Sequence, residues 1–101
     1  MPARSTRLRD LVRSKRSEIL ALAERHGARD LALFGSVARG EADETSDLDL
    51  LVSFDEGRSL FDHVGLQQDL EDLLGIRVDV VSRAALSPYI REALLREAVA
   101  V

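Results

Sequence analysis

The sequence contains no cysteine and few aromatic residues, three Phe and one Tyr among 101 residues. The lack of cysteine excludes disulfides, thiolate zinc sites and thiol nucleophiles, and it suits a reducing compartment. No apolar run approaches the roughly 20 residues that a membrane-spanning helix needs. The first ten residues are rich in arginine, but no apolar segment follows them. A secretory signal would have one, so we do not expect a secretory signal here. We therefore expect a cytoplasmic protein with no membrane contact.

Basic residues are missing from the middle of the chain, where no Lys or Arg lies between Arg39 and Arg58 but seven acids do. Residues 1–29 carry eight basic and three acidic side chains, a net charge of +5, and residues 30–101 carry six basic and fifteen acidic ones, a net charge of −9. The acidic part would repel a nucleic-acid backbone or a nucleoside triphosphate unless cations intervene. The charge distribution therefore indicates a bound metal.

Repeats, low-complexity tracts and Pro/Ser-rich linkers are also missing, which predicts one continuous domain over residues 1–101. A chain of this size buries roughly two-thirds of the surface that it exposes when unfolded. The core is adequate, but little chain is left to build an acceptor pocket as well as a catalytic centre.

Apolar periodicity predicts three strands and at least three helices. A helical stripe runs from Thr6 to His26, is interrupted at 13–17, where Ser14 or Ser17 could cap a second helix, and stops at Gly27. Ser59, with Asp62 three residues on, predicts a capping box, and the helix that follows carries an apolar stripe and stops at Gly75. The stripe comprises Leu60, Phe61, Val64, Leu70, Leu73 and Leu74, and the predicted strands are Asp30–Phe34, Asp47–Phe54 and Ile76–Ser82.

Ser87-Pro88 predicts the cap and first residue of the last helix. The order is helix, strand, strand, helix, strand, helix. It predicts an α/β (α+β) domain with a small mixed sheet and helices packed mainly on one side.

Chemistry is concentrated in Gly35-Ser36 and in Asp47-Leu48-Asp49. A Gly-Ser pair directly after a strand lets the backbone approach a phosphate, and the free N–H groups of a helical turn favour an anion. Asp-x-Asp on a strand points two carboxylates to the same side, opposite the apolar face. Two acids on a solvent-facing edge would be harmless. The buried-strand composition of the Leu-Leu-Val that follows favours a cleft instead.

Asp79 lies on the third strand and shares a face with Asp47 and Asp49 if the two strands pair. Three converging carboxylates would raise at least one pKa, a conflict that a divalent cation removes, and Mg²⁺ suits oxygen ligands left partly open. Two such ions are suited to in-line displacement at phosphorus, with Asp79 as the chosen general base. His26 and His63 fall on predicted helices, and we expect them to be surface or packing residues.

The chain resembles the minimal nucleotidyltransferase branch of the DNA polymerase β-like nucleotidyltransferase superfamily. Gly35-Ser36, ten intervening residues and Asp47-x-Asp49 form the superfamily signature, and the branch favours Phe-Gly-Ser-x-Ala-Arg-Gly before Ser-Asp-x-Asp-Leu-Leu-Val, which is matched throughout 34–52. A chance match to the four signature positions has odds on the order of one in a thousand.

The resemblance implies roles for six residues. Gly35 and Ser36 would hold the phosphates of ATP or another NTP, Asp47 and Asp49 would bind the metals, and Asp79 would complete the site and help to deprotonate the acceptor. Arg39 would either contact phosphate or brace the loop through an ion pair, and the two readings have equal weight. Ser46 is expected to be a turn residue before the strand.

The resemblance also implies a partner. Proteins of this branch are often encoded beside a helical HEPN-domain toxin, and are understood to silence it by attaching AMP, typically to a tyrosine. A partner would supply the acceptor and the surface that so short a chain lacks, so we expect a homo- or hetero-oligomer. Two alternatives stay open: a small-molecule transferase of the aminoglycoside-modifying type, and an antitoxin that acts by binding alone. Nucleic-acid binding by the basic first helix is disfavoured, because no aromatic residues accompany its charges.

Overall fold

The computed structural model describes residues 3–101, so that Met1 and Pro2 of the predicted domain lie outside the described residues. A four-stranded sheet is combined with five α-helices and one short 3₁₀ helix. In chain order the elements are α1 (Ala3–Ser14), α2 (Arg16–Arg25), β1 (Ala28–Phe34), α3 (Gly35–Arg39), β2 (Leu48–Phe54), α4 (Leu60–Leu74), β3 (Val78–Ser82), the 3₁₀ helix (Arg83–Ala85), α5 (Pro88–Glu97) and β4 (Val99–Ala100).

The sheet is mixed, as predicted, with the strand order β3-β2-β1-β4. β1 pairs antiparallel with β2 and β4, and β2 pairs parallel with β3. β4 was not predicted, because two residues are too few to show an alternation. Its pairing of Val99 with Leu33 places the chain after α5 at the edge of the sheet.

One face of the sheet carries the main core. Leu48, Leu50 and Val52 of β2 are buried there with apolar residues of α1, α2 and α4, such as Leu8, Ile19, Leu66 and Leu70. The opposite face bears Ala32 and Leu51, which pair across β1 and β2 and are also buried. The 3₁₀ helix contacts β2 and α5 contacts β1, so the segment 83–97 covers this second face. Helices therefore pack mainly, though not solely, on one side.

Side-chain hydrogen bonds cap the starts of α4 and α5, whereas the start of α2 has no such cap. Ser59 caps α4 in a capping box with Asp62, as predicted. The Ser87 hydroxyl accepts a hydrogen bond from the Ile90 N–H at the start of α5. The N-cap of α2 is Lys15, so the prediction of Ser14 or Ser17 was wrong. Ser14 instead donates its hydroxyl hydrogen to the Leu11 carbonyl, 2.8 Å away, at the end of α1.

The predicted apolar stripe of α4 was wrong at Leu60, Phe61 and Val64, all of which are exposed. The buried residues are Leu66, Leu70 and Leu74, which form a single i, i+4, i+8 row on the helix. Phe61 lies about 180° around the helix from the middle of that row at 3.6 residues per turn, and it is 88% exposed. Leu60 lies about 80° from the middle of the row, at the first residue of the helix, and is 75% exposed. Within the described part of the chain, no helix is long and apolar enough to cross a membrane.

Candidate active site

Parallel pairing of β2 with β3 brings two of the predicted aspartates together. Asp49 is the register partner of Asp79, and both follow residues of the main core, Leu48 and Val78. Because side chains alternate along a strand, the two carboxylates lie on the second face of the sheet. Asp47 precedes the first residue of β2, at the same end of the sheet.

The Gly-Ser turn lies directly against Asp49. Phe34, the last residue of β1, pairs with Asp49, and Gly35 begins α3 with φ of 71°. A Cβ atom added to Gly35 would stand 2.2 Å from Asp49 Oδ2. Only glycine satisfies both the left-handed backbone and this approach. The structure thus joins Gly35, Ser36, Asp49 and Asp79 at one end of the sheet, as the sequence predicted.

The pKa of Asp49 is raised to about 6, in the first place by burial, since desolvation disfavours the charged carboxylate. The negative charges of Asp79 and Asp47 contribute to this rise, and the cation of Arg39 opposes it. Asp79, Asp47 and Arg39 therefore all lie within electrostatic reach of Asp49.

Arg39 braces the end of α3. Its guanidinium donates hydrogen bonds to Glu41 and to Glu97 of α5, each at 3.0 Å. These bonds raise the pKa of Arg39 above its ordinary value, and the bond to Glu41 makes the larger contribution. The ion-pair reading of Arg39 therefore describes its contacts here, and a phosphate contact stays a prediction.

Asp47 stands beside a cation of its own, with Oδ1 3.9 Å from Arg77 Nε. Among residues 3–101, no group of three or more His, Cys, Asp and Glu side chains is arranged to hold a metal ion. The three aspartates nevertheless have the donor chemistry that Mg²⁺ prefers, carboxylate oxygens that are half-buried or exposed. The raised pKa of Asp49, caused first by burial and then by the charges of Asp79 and Asp47, marks a carboxylate whose charge a divalent cation would stabilise.

Two residues of α1 form hydrogen bonds to α3 and to the loop that follows it, and neither was predicted from the sequence. Arg9 donates to the carbonyls of Val37, at 3.0 Å, and Ala38, the last turn of α3. Ser5 is buried and accepts the Ala42 N–H at 2.8 Å, which ties down the loop before β2. No sequence signal could have found these contacts, because they join positions 28 to 37 residues apart.

The loop between α3 and β2 is held by its own side chains. The Asp43 N–H donates to Ser46 Oγ at 3.0 Å, which agrees with the predicted turn role of Ser46. Thr45 donates to Asp43 Oδ1 through its N–H and its hydroxyl, and these bonds lower the pKa of Asp43. The chain thus reaches Asp47 through a structured turn.

The two histidines make contacts that do not involve Asp47, Asp49 or Asp79. His26 forms a 2.7 Å hydrogen bond with Asp69, and its ring lies over Gly65 of α4. His63 Nε2–H donates to the Val80 carbonyl at 2.6 Å, and the ring stacks on Phe54 with centroids 5.4 Å apart. Neither contact involves a predicted site residue.

A cavity of about 320 Å³ lies on the other side of the sheet, near β4. Arg9, Arg13 and Arg16 line it together with Leu33, which belongs to the core, and Val99, which is exposed. Because Leu33 points to the face opposite Asp49, the cavity is separate from the carboxylates. The candidate active site is instead an open surface beside α3 and α5.

Known proteins are similar to this chain in sequence and in fold. The chain matches the family model of the nucleotidyltransferase domain over residues 16–101. It is 49% identical over 80 residues to protein adenylyltransferase MntA of Thermococcus cleftensis, with 79% of this chain and 81% of that one covered. A solved structure of a candidate minimal nucleotidyltransferase matches with a TM-score of 0.83 at 55% identity, over 91% of this chain and 94% of that one.

A toxin–antitoxin crystallised with AMP-PNP shares the fold at a TM-score of 0.70 and 22% identity, over 83% of this chain and 69% of that one. The family model covers most of the chain, and the more similar relatives match along most of their own length. The Gly-Ser turn and the paired aspartates lie where the signature of this family predicts. The chain belongs to the nucleotidyltransferase-domain family and, within it, to the minimal nucleotidyltransferases.

Proposed function

We propose that this nucleotidyltransferase transfers AMP from ATP to a hydroxyl of a partner protein, and that the partner is a helical toxin of the HEPN type. The observation that carries the proposal is the pairing of Asp49 with Asp79 against the Gly35-Ser36 turn. The relative from T. cleftensis, 49% identical, is named a protein adenylyltransferase. A toxin partner is favoured by the fold's occurrence in a toxin–antitoxin crystallised with AMP-PNP.

In the proposed reaction the acceptor hydroxyl oxygen attacks the α-phosphorus of ATP. The new O–P bond forms as the bond between the α-phosphorus and the bridging oxygen breaks, and pyrophosphate leaves with the electron pair. The hydroxyl proton passes to Asp79, which is exposed on the edge strand β3 and open to an approaching acceptor. Gly35 and Ser36 would hold the triphosphate, and Arg39 would contact it or keep α3 in place.

The proposed metal ligands are Asp47, Asp49 and Asp79. Mg²⁺, as two ions, would supply charge neutralisation for the phosphates and for the departing pyrophosphate. Asp47 would turn from Arg77, a contact of 3.9 Å between exposed or half-buried side chains that costs little to break. Asp49 must be ionised to bind a cation, so we expect metal affinity to fall as the pH drops below about 6.

A labelling experiment tests the proposal. The purified chain is mixed with ATP labelled at the α-phosphate, Mg²⁺ and the protein encoded by the adjacent gene. We expect label on the partner that depends on Mg²⁺ and is lost in Asp47→Ala/Asp49→Ala.

The matched control is Asp55→Ala/Glu56→Ala, which removes two carboxylates just beyond the opposite end of β2 and should label at the wild-type rate. If Asp47→Ala/Asp49→Ala transfers no label to the toxin and still inhibits it, catalysis is not the mechanism of inhibition. Label on a small molecule in place of the partner would contradict the proposed acceptor.

A further inference from the structure

Helix α5 exposes an apolar surface on the second face of the sheet, the face that bears Asp49 and Asp79. Among its residues, all of which are described, none is buried, and Tyr89 and Ile90 are 90% and 54% exposed. A surface helix ordinarily buries an apolar stripe, because a helix of ten residues has little stability of its own. Leu94 is half-buried and provides part of that contact. The remaining apolar surface of α5 is uncovered in the isolated chain.

This surface leads to the candidate active site. Tyr89, Ala93 and Glu97 are spaced i, i+4, i+8, so they form one row along the helix. At the end of the row Glu97 contacts Arg39 at 3.0 Å, at the end of α3. The first residue of α3 is Gly35, which lies against Asp49. A molecule bound along α5, which is about 15 Å long, would therefore reach the aspartates with its end.

We propose that the α5 surface, defined by Tyr89, Ile90 and Ala93, docks the acceptor protein and thereby selects the hydroxyl that reaches Asp49 and Asp79. The inference rests on the proposed function, because it requires that the acceptor be a protein. It adds the place where that protein binds, on a surface that takes no part in holding the nucleotide.

Charge defines the chemistry of the occupant. Residues 30–101 carry a net charge of −9, and the acids at the end of the row include Glu41, Glu97 and the three aspartates. An apolar surface bordered by Lys or Arg complements this arrangement. A second copy that paired through the same surface would bring its own residues 30–101, with a net charge of −9, against an acidic surface. We therefore commit to a different protein, with basic residues beside its apolar contact.

The chain provides a matched control surface on α4. Leu60 and Phe61 are 75% and 88% exposed in its first turn, which begins six residues after the end of β2 at Phe54. Asp47 precedes the other end of β2. The two surfaces thus have similar apolar side chains and similar exposure, and only the α5 surface adjoins the site.

The test compares Tyr89→Ser/Ile90→Ser with Leu60→Ser/Phe61→Ser. For each protein, calorimetry measures the affinity for the adjacent-gene protein and, separately, for ATP with Mg²⁺. The rate of label transfer from ATP to that protein is measured as well, and light scattering gives the mass of the wild-type chain and of the α5 variant, each without the partner. We expect the α5 variant to lose about tenfold or more in partner affinity and transfer rate, as truncation at an interface anchor does. The α4 variant should match the wild type, and both should bind ATP normally.

Three results would overturn the docking surface alone: wild-type labelling by the α5 variant, loss of labelling in the α4 variant, or loss of ATP affinity in the α5 variant. Dissociation of a wild-type dimer by the α5 substitutions would assign the surface to a second copy and also overturn the inference. If the wild-type chain binds ATP but neither binds nor labels the partner, the proposed function fails and the docking surface fails with it. Indifference to the α5 substitutions while the wild type labels the partner leaves the proposed function intact.

Discussion

Replacing Asp49 with Asn should stabilise the metal-free protein. Burial and the charges of Asp79 and Asp47 raise the pKa of Asp49 from 3.8 to about 6, so the folded protein holds this proton more tightly than the unfolded chain does. The free energy of unfolding therefore falls as the pH rises from about 3.8 to about 6, and it stays lower at higher pH. Asn keeps the shape of the side chain and removes the charge that causes this loss.

The size of the effect follows from the pKa difference. A rise of roughly two pH units corresponds to about 3 kcal/mol at 1.36 kcal/mol per unit. Asp49 is only partly buried, so solvent screening reduces this figure, and we take about half. We expect Asp49→Asn to raise the free energy of unfolding by about 1.5 kcal/mol at about pH 7.5 and to leave it unchanged near pH 3.8.

Urea unfolding with EDTA present, followed by far-ultraviolet circular dichroism, measures the difference at both pH values. The control Asp72→Asn makes the same chemical change on an exposed part of α4 and should change stability by less than about 0.5 kcal/mol. The electrostatic reasoning is refuted if Asp49→Asn is no more stable than the wild type at the higher pH, or if its advantage grows as the pH falls.

Three further outcomes are expected. Gly35→Ala should cost about 2 kcal/mol or more in urea unfolding, because φ of 71° strains any L-residue and its Cβ would meet Asp49. Gly40→Ala, with φ of 78° and no described atom within 4 Å, should cost about 1 kcal/mol, and equal costs would disprove the contact. Arg39→Gln should raise the pKa of Asp49 above about 6 in a carboxyl ¹³C NMR titration, because a nearby cation is lost. An unchanged pKa would show that the charge of Arg39 does not act on Asp49. Ser59→Ala should lower thermal stability by about 1 kcal/mol through loss of the α4 cap, and altered label transfer would show that this end matters to the site.

Local chemistry made much of the fold predictable. The capping box at Ser59, the glycine stop at Gly75 and the Ser87-Pro88 start are short-range patterns whose hydrogen bonds form within a few residues. Alternation in Asp47–Phe54 and Ile76–Ser82 likewise predicted which face of each strand the aspartates occupy. The strand pairing agrees with that prediction, since Asp49 and Asp79 are register partners. The catalytic and metal-binding roles of these residues remain proposals.

The misassigned residues are those whose environment depends on distant parts of the chain. Leu60 and Phe61 fit an apolar helix pattern, but only the packing of α4 on the sheet decides that the row Leu66–Leu70–Leu74 is buried. β4 is too short to show a pattern, and its existence depends on the pairing with β1. Ser14 is an exception, because its hydroxyl donates to the Leu11 carbonyl only three residues earlier, at the end of α1, and so competes locally with the role of an N-cap.

By itself, the sequence determined three of the four strands, the longer helices, the Gly-Ser turn and the presence of three aspartates in or directly before strands, because these follow from residue spacing. Only the tertiary structure decided that Gly35 touches Asp49, that Arg39 bonds to Glu97 and that Arg9 supports α3. Such contacts join residues 14 to 58 positions apart, and no local propensity encodes them. The raised pKa of Asp49 belongs to the same class, since it arises from charges and burial that exist only once β2, β3 and α3 have met.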